Sequence, residues 1–287
     1  MSLAPIKQFD HGSDMHAPEL YQPVGVGHGV EHFEDIGPAE ITQFREQGYL
    51  IVRQAFDPRE VNDAIQGLVD LIMGKNPEFT GISFEAKAQD ILPTLGLAAR
   101  QDAVRKLMFF VEYDARLRAI SHHPKLLKTI STLLGDRPSQ MFQDMALLKP
   151  PRLGREKPWH QDNAYFNYPQ GTPVVGTWIA LDEATIENGC MQFLPGQHKK
   201  GPRIHFQRRD WQICDTEILG QRSVAAPLKP GGMLFFSGLL PHGTPHNSSG
   251  LRRRALQFHY APADVSTLPD NDERLKYFGS EGKDVSC

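Results

Sequence analysis

After Met141 the chain is crowded with turn signals: Pro150-Pro151, Pro169 to Gly171, Asn188-Gly189, Pro195-Gly196 and Gly231-Gly232. Proline fixes φ and removes a donor, glycine frees φ, and both interrupt regular elements. The stretches left between them are short. Met233-Leu234-Phe235-Phe236 is uniformly apolar, and Ala255 to Tyr260 alternates. Short strands of this kind bury themselves in a closed or double-layered β architecture. The expectation is a mainly β fold with flanking helices, a double-stranded β-helix (jelly-roll, cupin-like) barrel.

Helices are expected ahead of the strand-rich part. Pro38 suits the first turn of a short helix, and Gly48 to Val52 reads as a strand. Asp57-Pro58 has the form of an N-cap followed by proline at the first helical position. Val61, Ile65, Leu68 and Ile72 then recur at helical spacing. Pro124 to Leu134 reads as another helix, closed by Gly135. Residues 1–38 contain scattered prolines and glycines without periodicity and read as a loose arm, in which Met1-Ser2-Leu3 has the look of an added leader. Residues 39–265 would form one double-stranded β-helix domain with an insert over about 74–103 that could serve as a lid, and residues 266–287 a polar tail.

Composition sets limits on partners. A 287-residue chain that is 40% hydrophobic can bury one large core. Its net charge of −3 and isoelectric point near 6.5 argue against nucleic acid as a main partner. No apolar run approaches the ~20 residues needed to span a bilayer, and no signal-like core follows the first residues. Cys190, Cys214 and Cys287 are too few and scattered for a disulfide framework. A cytoplasmic protein with a small-molecule substrate is the expectation.

The chemistry concentrates at His160-Gln161-Asp162 and at His242. On an extended segment a His and a carboxylate two residues apart point to the same side. With a second His from a later strand they form a two-His, one-carboxylate face that suits ferrous iron and leaves positions open for co-substrate and O2. Trp159 and Asn163 to Phe166 flank the triplet with bulk that can exclude water. Downstream, Arg252-Arg253-Arg254 leads into an alternating segment, and a guanidinium there can grip a carboxylate through two parallel hydrogen bonds.

Together these pieces resemble the phytanoyl-CoA dioxygenase family of Fe(II)/2-oxoglutarate oxygenases. The matching stretches are Trp159 to Asp162, Trp178 to Asp182, Asn188 to Cys190, Leu194 to His198, and His242-Gly243-Thr244 followed by Arg253. Phe44 to Val52 is similar to the family's opening helix and strand. The resemblance implies His160, Asp162 and His242 as iron ligands and Arg253 as partner of the distal carboxylate of 2-oxoglutarate. It also implies Thr244, Trp178, Lys106 and Gln143 beside the co-substrate. On an alternating strand Arg252 and Arg254 would face away from Arg253.

Two departures bear on the reading. Family members that halogenate lack the carboxylate ligand, whereas Asp162 is present, so hydroxylation is favoured. The insert matches no recognisable subgroup. The expected activity is hydroxylation of a small organic molecule, with 2-oxoglutarate and O2 consumed and succinate and CO2 released. A cupin-like metal enzyme that does not use 2-oxoglutarate, or a non-catalytic small-molecule-binding barrel, are the alternatives. The remaining histidines, including His198, His246 and His259, read as loop or packing residues.

Overall fold

A computed structural model describes residues 9–10 and 15–279. Among these residues a nine-stranded sheet runs in the order Phe9–Asp10, Ile82–Glu85, Val104–Met108, Ser139–Lys149, Arg253–Pro262, Val175–Ala180, Met233–Ser237, Tyr49–Val52, Gly29–Val30. A smaller sheet of four strands has the order Val224–Ala226, Met191–Phe193, His242–Thr244, Lys157–His160. Together they form the jelly-roll barrel.

The period of two along each strand explains how the large sheet is covered on both faces. Leu50, Val52, Val175, Ile179, Phe235, Leu256 and Phe258 point outward and share one core with the helices. Tyr49, Ile51, Trp178, Ala180, Leu234, Phe236 and Ala255 point inward and meet Met191, Phe193 and Ala225 of the smaller sheet. Gly176 is an inward position where a side chain would collide with the Phe236 ring, only 2.4 Å from an added Cβ. That ring in turn packs on His242, centroid to centroid 4.9 Å.

Local rules place the helices. Asp57 caps Pro58–Ile72 by accepting from the backbone N–H groups of Arg59 and Glu60 at 2.8 and 2.9 Å, and Glu60 accepts from the Asp57 N–H at 2.9 Å. Pro38–Gln47 ends at Gly48, whose φ of +82° is the left-handed cap conformation that favours glycine. Pro124–Leu133 likewise opens on proline and is followed by Gly135 at φ +83°.

Three segments depart from the sequence reading. The described part of the arm, residues 9–10 and 15–38, is packed down: Phe9–Asp10 pairs with Ile82–Glu85, Leu20 and Tyr21 are buried, and Gly29–Val30 joins the large sheet in parallel with Tyr49–Val52. The 74–103 insert contributes the strand Ile82–Glu85 to that sheet besides its short helices. The polar tail holds a helix, Asp272–Phe278, whose Arg274 donates to the Ala164 carbonyl at 2.5 Å and to Asn167 Oδ1 at 2.9 Å. All three are held by long-range contacts that leave no local period. The Met1-Ser2-Leu3 reading lies outside the described residues. No helix among the described residues is long and apolar enough to cross a membrane.

Candidate active site

His160 closes the strand Lys157–His160, and His242 opens the neighbouring strand His242–Thr244, directly opposite it. Gln161 stays extended, so Asp162 returns to the same side, although it begins a 3-10 turn and is not part of the strand. The nitrogen and oxygen donors of His160, Asp162 and His242 all lie within 4.8 Å of one another, and all three residues are buried.

The hydrogen bonds around this trio define its chemistry. His160 Nδ1 is 2.7 Å from the Pro158 carbonyl, and His242 Nδ1 is 2.9 Å from the Leu240 carbonyl. A carbonyl only accepts, so each Nδ1 carries the proton and each Nε2 is a bare lone pair. Those lone pairs lie 3.1 and 3.6 Å from Asp162 Oδ1. Three acceptors converging in a buried space repel unless a cation lies among them. Burial and the neighbouring His160 push the His242 imidazole down to about 4, which keeps it a neutral ligand at pH 7. Burial opposes ionisation of Asp162, but it is outweighed, in part by the hydrogen bond from His259, and the carboxyl is held well below its ordinary value. The donor set fits a divalent metal.

Asp162 is anchored from behind. His259 Nε2 lies 2.7 Å from Asp162 Oδ2, and Gln257 Nε2 donates to the same oxygen at 3.4 Å. This leaves Oδ1 directed at the histidines. Neither residue was singled out from sequence as more than packing. The signal was there in the strand: Arg253, Ala255, Gln257 and His259 all point inward by alternation.

Arg253 lies at the other end of the same strand, 2% exposed. Its Nη1 donates to the Leu147 carbonyl at 3.3 Å, and its guanidinium carbon lies 5.2 Å over the Trp178 ring. No carboxylate among the described residues pairs with it, and its Nε and Trp178 Nε1 have no hydrogen-bond partner. Burial lowers its proton affinity. A buried, unpaired guanidinium is costly and is satisfied by an anionic ligand. Its neighbours in sequence turn away: Arg252 pairs with Asp102 at 2.5 and 2.8 Å, and Arg254 with Asp182 at 2.8 and 2.7 Å.

A cavity of about 260 Å³ connects the two ends. His160, Asp162, His242, Arg253, Thr244, Trp178, Lys106 and Gln143, all singled out from sequence, line it. Its apolar wall includes Met108, Met145, Leu147, Phe166 and Met191. Among the described residues, none of the 74–103 insert or of the arm lines it. His198 bonds the Arg45 carbonyl instead, and His246 lines a separate cavity. Sequence reasoning missed Lys157 and Asp210, which meet Tyr165 at one wall.

The sequence profile of the phytanoyl-CoA dioxygenase (PhyH) family matches residues 44–255. The chain belongs to the phytanoyl-CoA dioxygenase family. A zebrafish (Danio rerio) relative, phytanoyl-CoA dioxygenase domain-containing protein 1, is 26% identical over 271 residues, covering 81% of this chain and 92% of its own. Among solved structures, EvdO2 from Micromonospora carbonacea var. aurantiaca, complexed with 2-oxoglutarate, aligns with a TM-score of 0.64 at 26% identity. The alignment covers 85% of this chain and 97% of that one. The non-heme alpha-ketoglutarate-dependent carbocyclase SnoK from nogalamycin biosynthesis shares the fold, with a TM-score of 0.65, 22% identity and coverage of 86% and 92%.

Proposed function

We propose that this family member is an Fe(II)/2-oxoglutarate-dependent oxygenase that hydroxylates a small organic molecule. The overall reaction converts substrate C–H, 2-oxoglutarate and O2 into substrate C–OH, succinate and CO2. The observation that carries the reading is Arg253: a buried guanidinium without a carboxylate partner, in the same cavity as a convergent His–Asp–His donor set.

His160, Asp162 and His242 would hold the iron, which when bound supplies the activation of O2 that the polypeptide cannot provide. His259 and Gln257 fix Asp162 so that one oxygen faces the metal position. Arg253 would take the distal carboxylate of 2-oxoglutarate, with Thr244, Trp178, Lys106 and Gln143 lining the same space. Trp178 Nε1 and Gln143 Oε1 are buried without partners, one donor and one acceptor available to the co-substrate. Phe166, Leu147 and the methionines exclude water from the reacting centre. A cavity of about 260 Å³ lies below the roughly 300–1,000 Å³ usual for drug-sized ligands, which favours a compact substrate.

The test is an anaerobic titration of metal-free protein with Fe(II) and then 2-oxoglutarate, followed by the visible charge-transfer band of the chelate. The band should form in the wild type and weaken in both Asp162→Ala and Arg253→Ala. Iron binding without a band would favour a cupin-like enzyme that does not use 2-oxoglutarate. Failure to bind iron would remove the oxygenase reading altogether.

A further inference from the structure

The two histidines of the metal face stand on strands whose own pairing holds them at few points. Lys157–His160 is the last strand of the four-stranded sheet. Among the described residues it pairs in that sheet only with His242–Thr244, through His160 with His242 and Lys157 with Thr244, and the register shifts between those two pairs. Pro158 lies in the shifted stretch and has no N–H to give. The separation of His160 and His242 therefore needs a hold from outside the ladder.

Tyr21 of the arm supplies it. Trp159 and Gly243 are the sequence neighbours of the two ligands, and both abut this one side chain. The Tyr21 ring stacks on Trp159 with centroids 5.7 Å apart and planes inclined by 22°. An added Cβ at Gly243 would lie 3.0 Å from Tyr21 Oη. The hydroxyl donates to Glu156 Oε1 at 2.7 Å and lies 3.2 Å from the Lys157 carbonyl. Glu156 is itself fixed by Arg209 Nε at 2.8 Å, so the hydroxyl is tied to a buried ion pair.

The residues around Tyr21 complete the hold. The Leu20 carbonyl accepts from Trp159 Nε1 at 3.0 Å, and the Tyr21 carbonyl accepts from Gln192 Nε2 at 3.4 Å. His16 packs edge-on to the Tyr21 ring at 4.7 Å and accepts at Nε2 from the His246 N–H at 3.1 Å. Three of the four strands of the smaller sheet are thus gripped from the face away from the cavity. Tyr21 is buried and is not one of the cavity's lining residues. Any effect it has on the metal passes through the residues it holds.

We propose that Tyr21 is a positioning residue for the metal centre: from behind the sheet it clamps the strands of His160 and His242 and sets the separation of the two imidazoles. This inference rests on the metal-binding part of the oxygenase reading above. The experiment titrates the metal-free full chain anaerobically with Fe(II) against a competing chelator, then adds saturating 2-oxoglutarate and records the charge-transfer band. Tyr21→Phe keeps the ring and Tyr21→Leu removes it. Tyr260→Phe is the control, because Tyr260 is a second buried tyrosine, its hydroxyl donating to the Ser121 carbonyl at 2.6 Å in the core shared with the helices.

Tyr21→Leu should weaken Fe(II) binding by at least about tenfold, as loss of a group behind a metal ligand does. Tyr21→Phe should recover part of this and still lose about threefold or more, the size of one ordinary hydrogen bond. In both, the band maximum should shift at saturating iron. Tyr260→Phe should lower the melting temperature of the metal-free protein and leave iron affinity and band in place. A loss below threefold or an unmoved band in Tyr21→Phe overturns the proposal. So does an equal loss in Tyr260→Phe, which would mean that any missing core hydrogen bond weakens the site. Should Tyr21→Leu not fold, Tyr21→Phe decides alone. A wild type that binds no Fe(II) ends the oxygenase reading and the positioning role with it. A wild type that binds Fe(II) without a band ends only the co-substrate reading, and the chelator titration still tests Tyr21.

Discussion

Arg209 and Arg253 are both buried arginines, and they live in opposite circumstances. Arg209 meets Glu156 at 2.8 Å and Asp215 at 2.6 and 2.9 Å, and burial is outweighed so that its proton is held more tightly than usual. Arg253 has a carbonyl and an indole face, no carboxylate, and is pushed the other way by burial. A guanidinium taken out of water needs an anion, from the protein or from a ligand. Arg209 finds its anions within the chain and is structural. Arg253 is left open on a cavity, at a cost to stability that a bound carboxylate offsets.

The largest expected effect lies at the metal end of that cavity. Asp162→Ala or His160→Ala should cut iron-dependent succinate release by more than about a hundredfold, beyond what supporting residues of metal sites usually cost; near-normal turnover would remove the trio from the mechanism. The two arginines should then separate cleanly. Arg209→Ala leaves Glu156 and Asp215 uncompensated and should lower the unfolding free energy by about 3–5 kcal/mol in urea titrations. Arg253→Ala should spare or raise stability while increasing the 2-oxoglutarate requirement roughly thirtyfold or more, equivalent to about 2 kcal/mol. Equal destabilisation by both would erase the contrast.

Smaller effects sharpen it. His259→Ala should weaken iron binding by about 10- to 100-fold through loss of the grip on Asp162, measured by competition with a chelator. Arg252→Ala breaks an exposed pair with Asp102 and should cost at most about 1 kcal/mol with no change in co-substrate affinity. If Arg252→Ala affects 2-oxoglutarate and Arg253→Ala does not, the inward register is wrong. Asp70 gives the smallest effect. Lys75 and then Arg116 hold its carboxyl down to about 2, so its contribution is present above the unfolded value near about 3.9 and fades as pH falls through about 2. The melting temperature of Asp70→Asn should therefore converge on that of the wild type only in acid.

Much of the fold was legible because its signals are local. Turn residues after Met141 marked short strands, Asp57-Pro58 marked a capped helix, and the jelly-roll barrel followed. The family resemblance picked out Arg253, strand alternation then placed Arg252 and Arg254 on the other side, and the structure turns the three that way. His259 was visible by the same alternation, yet its use on Asp162 was not, since that bond joins residues 97 apart in the chain.

The arm, the C-terminal helix and the Lys157 wall were hidden for a related reason. Leu20 is held by Trp159, Ala164 by Arg274, and Lys157 by Asp210, each across a long separation and without periodicity. The sequence by itself determined the strand periodicity, the helix caps and the chemical types available at His160, Asp162, His242 and Arg253. Only the tertiary structure decided which charges find partners inside the protein and which stay open to a ligand. That outcome depends on which side chains meet across the barrel, because the cost of a buried charge is set by its neighbours in space and not by its neighbours in the chain.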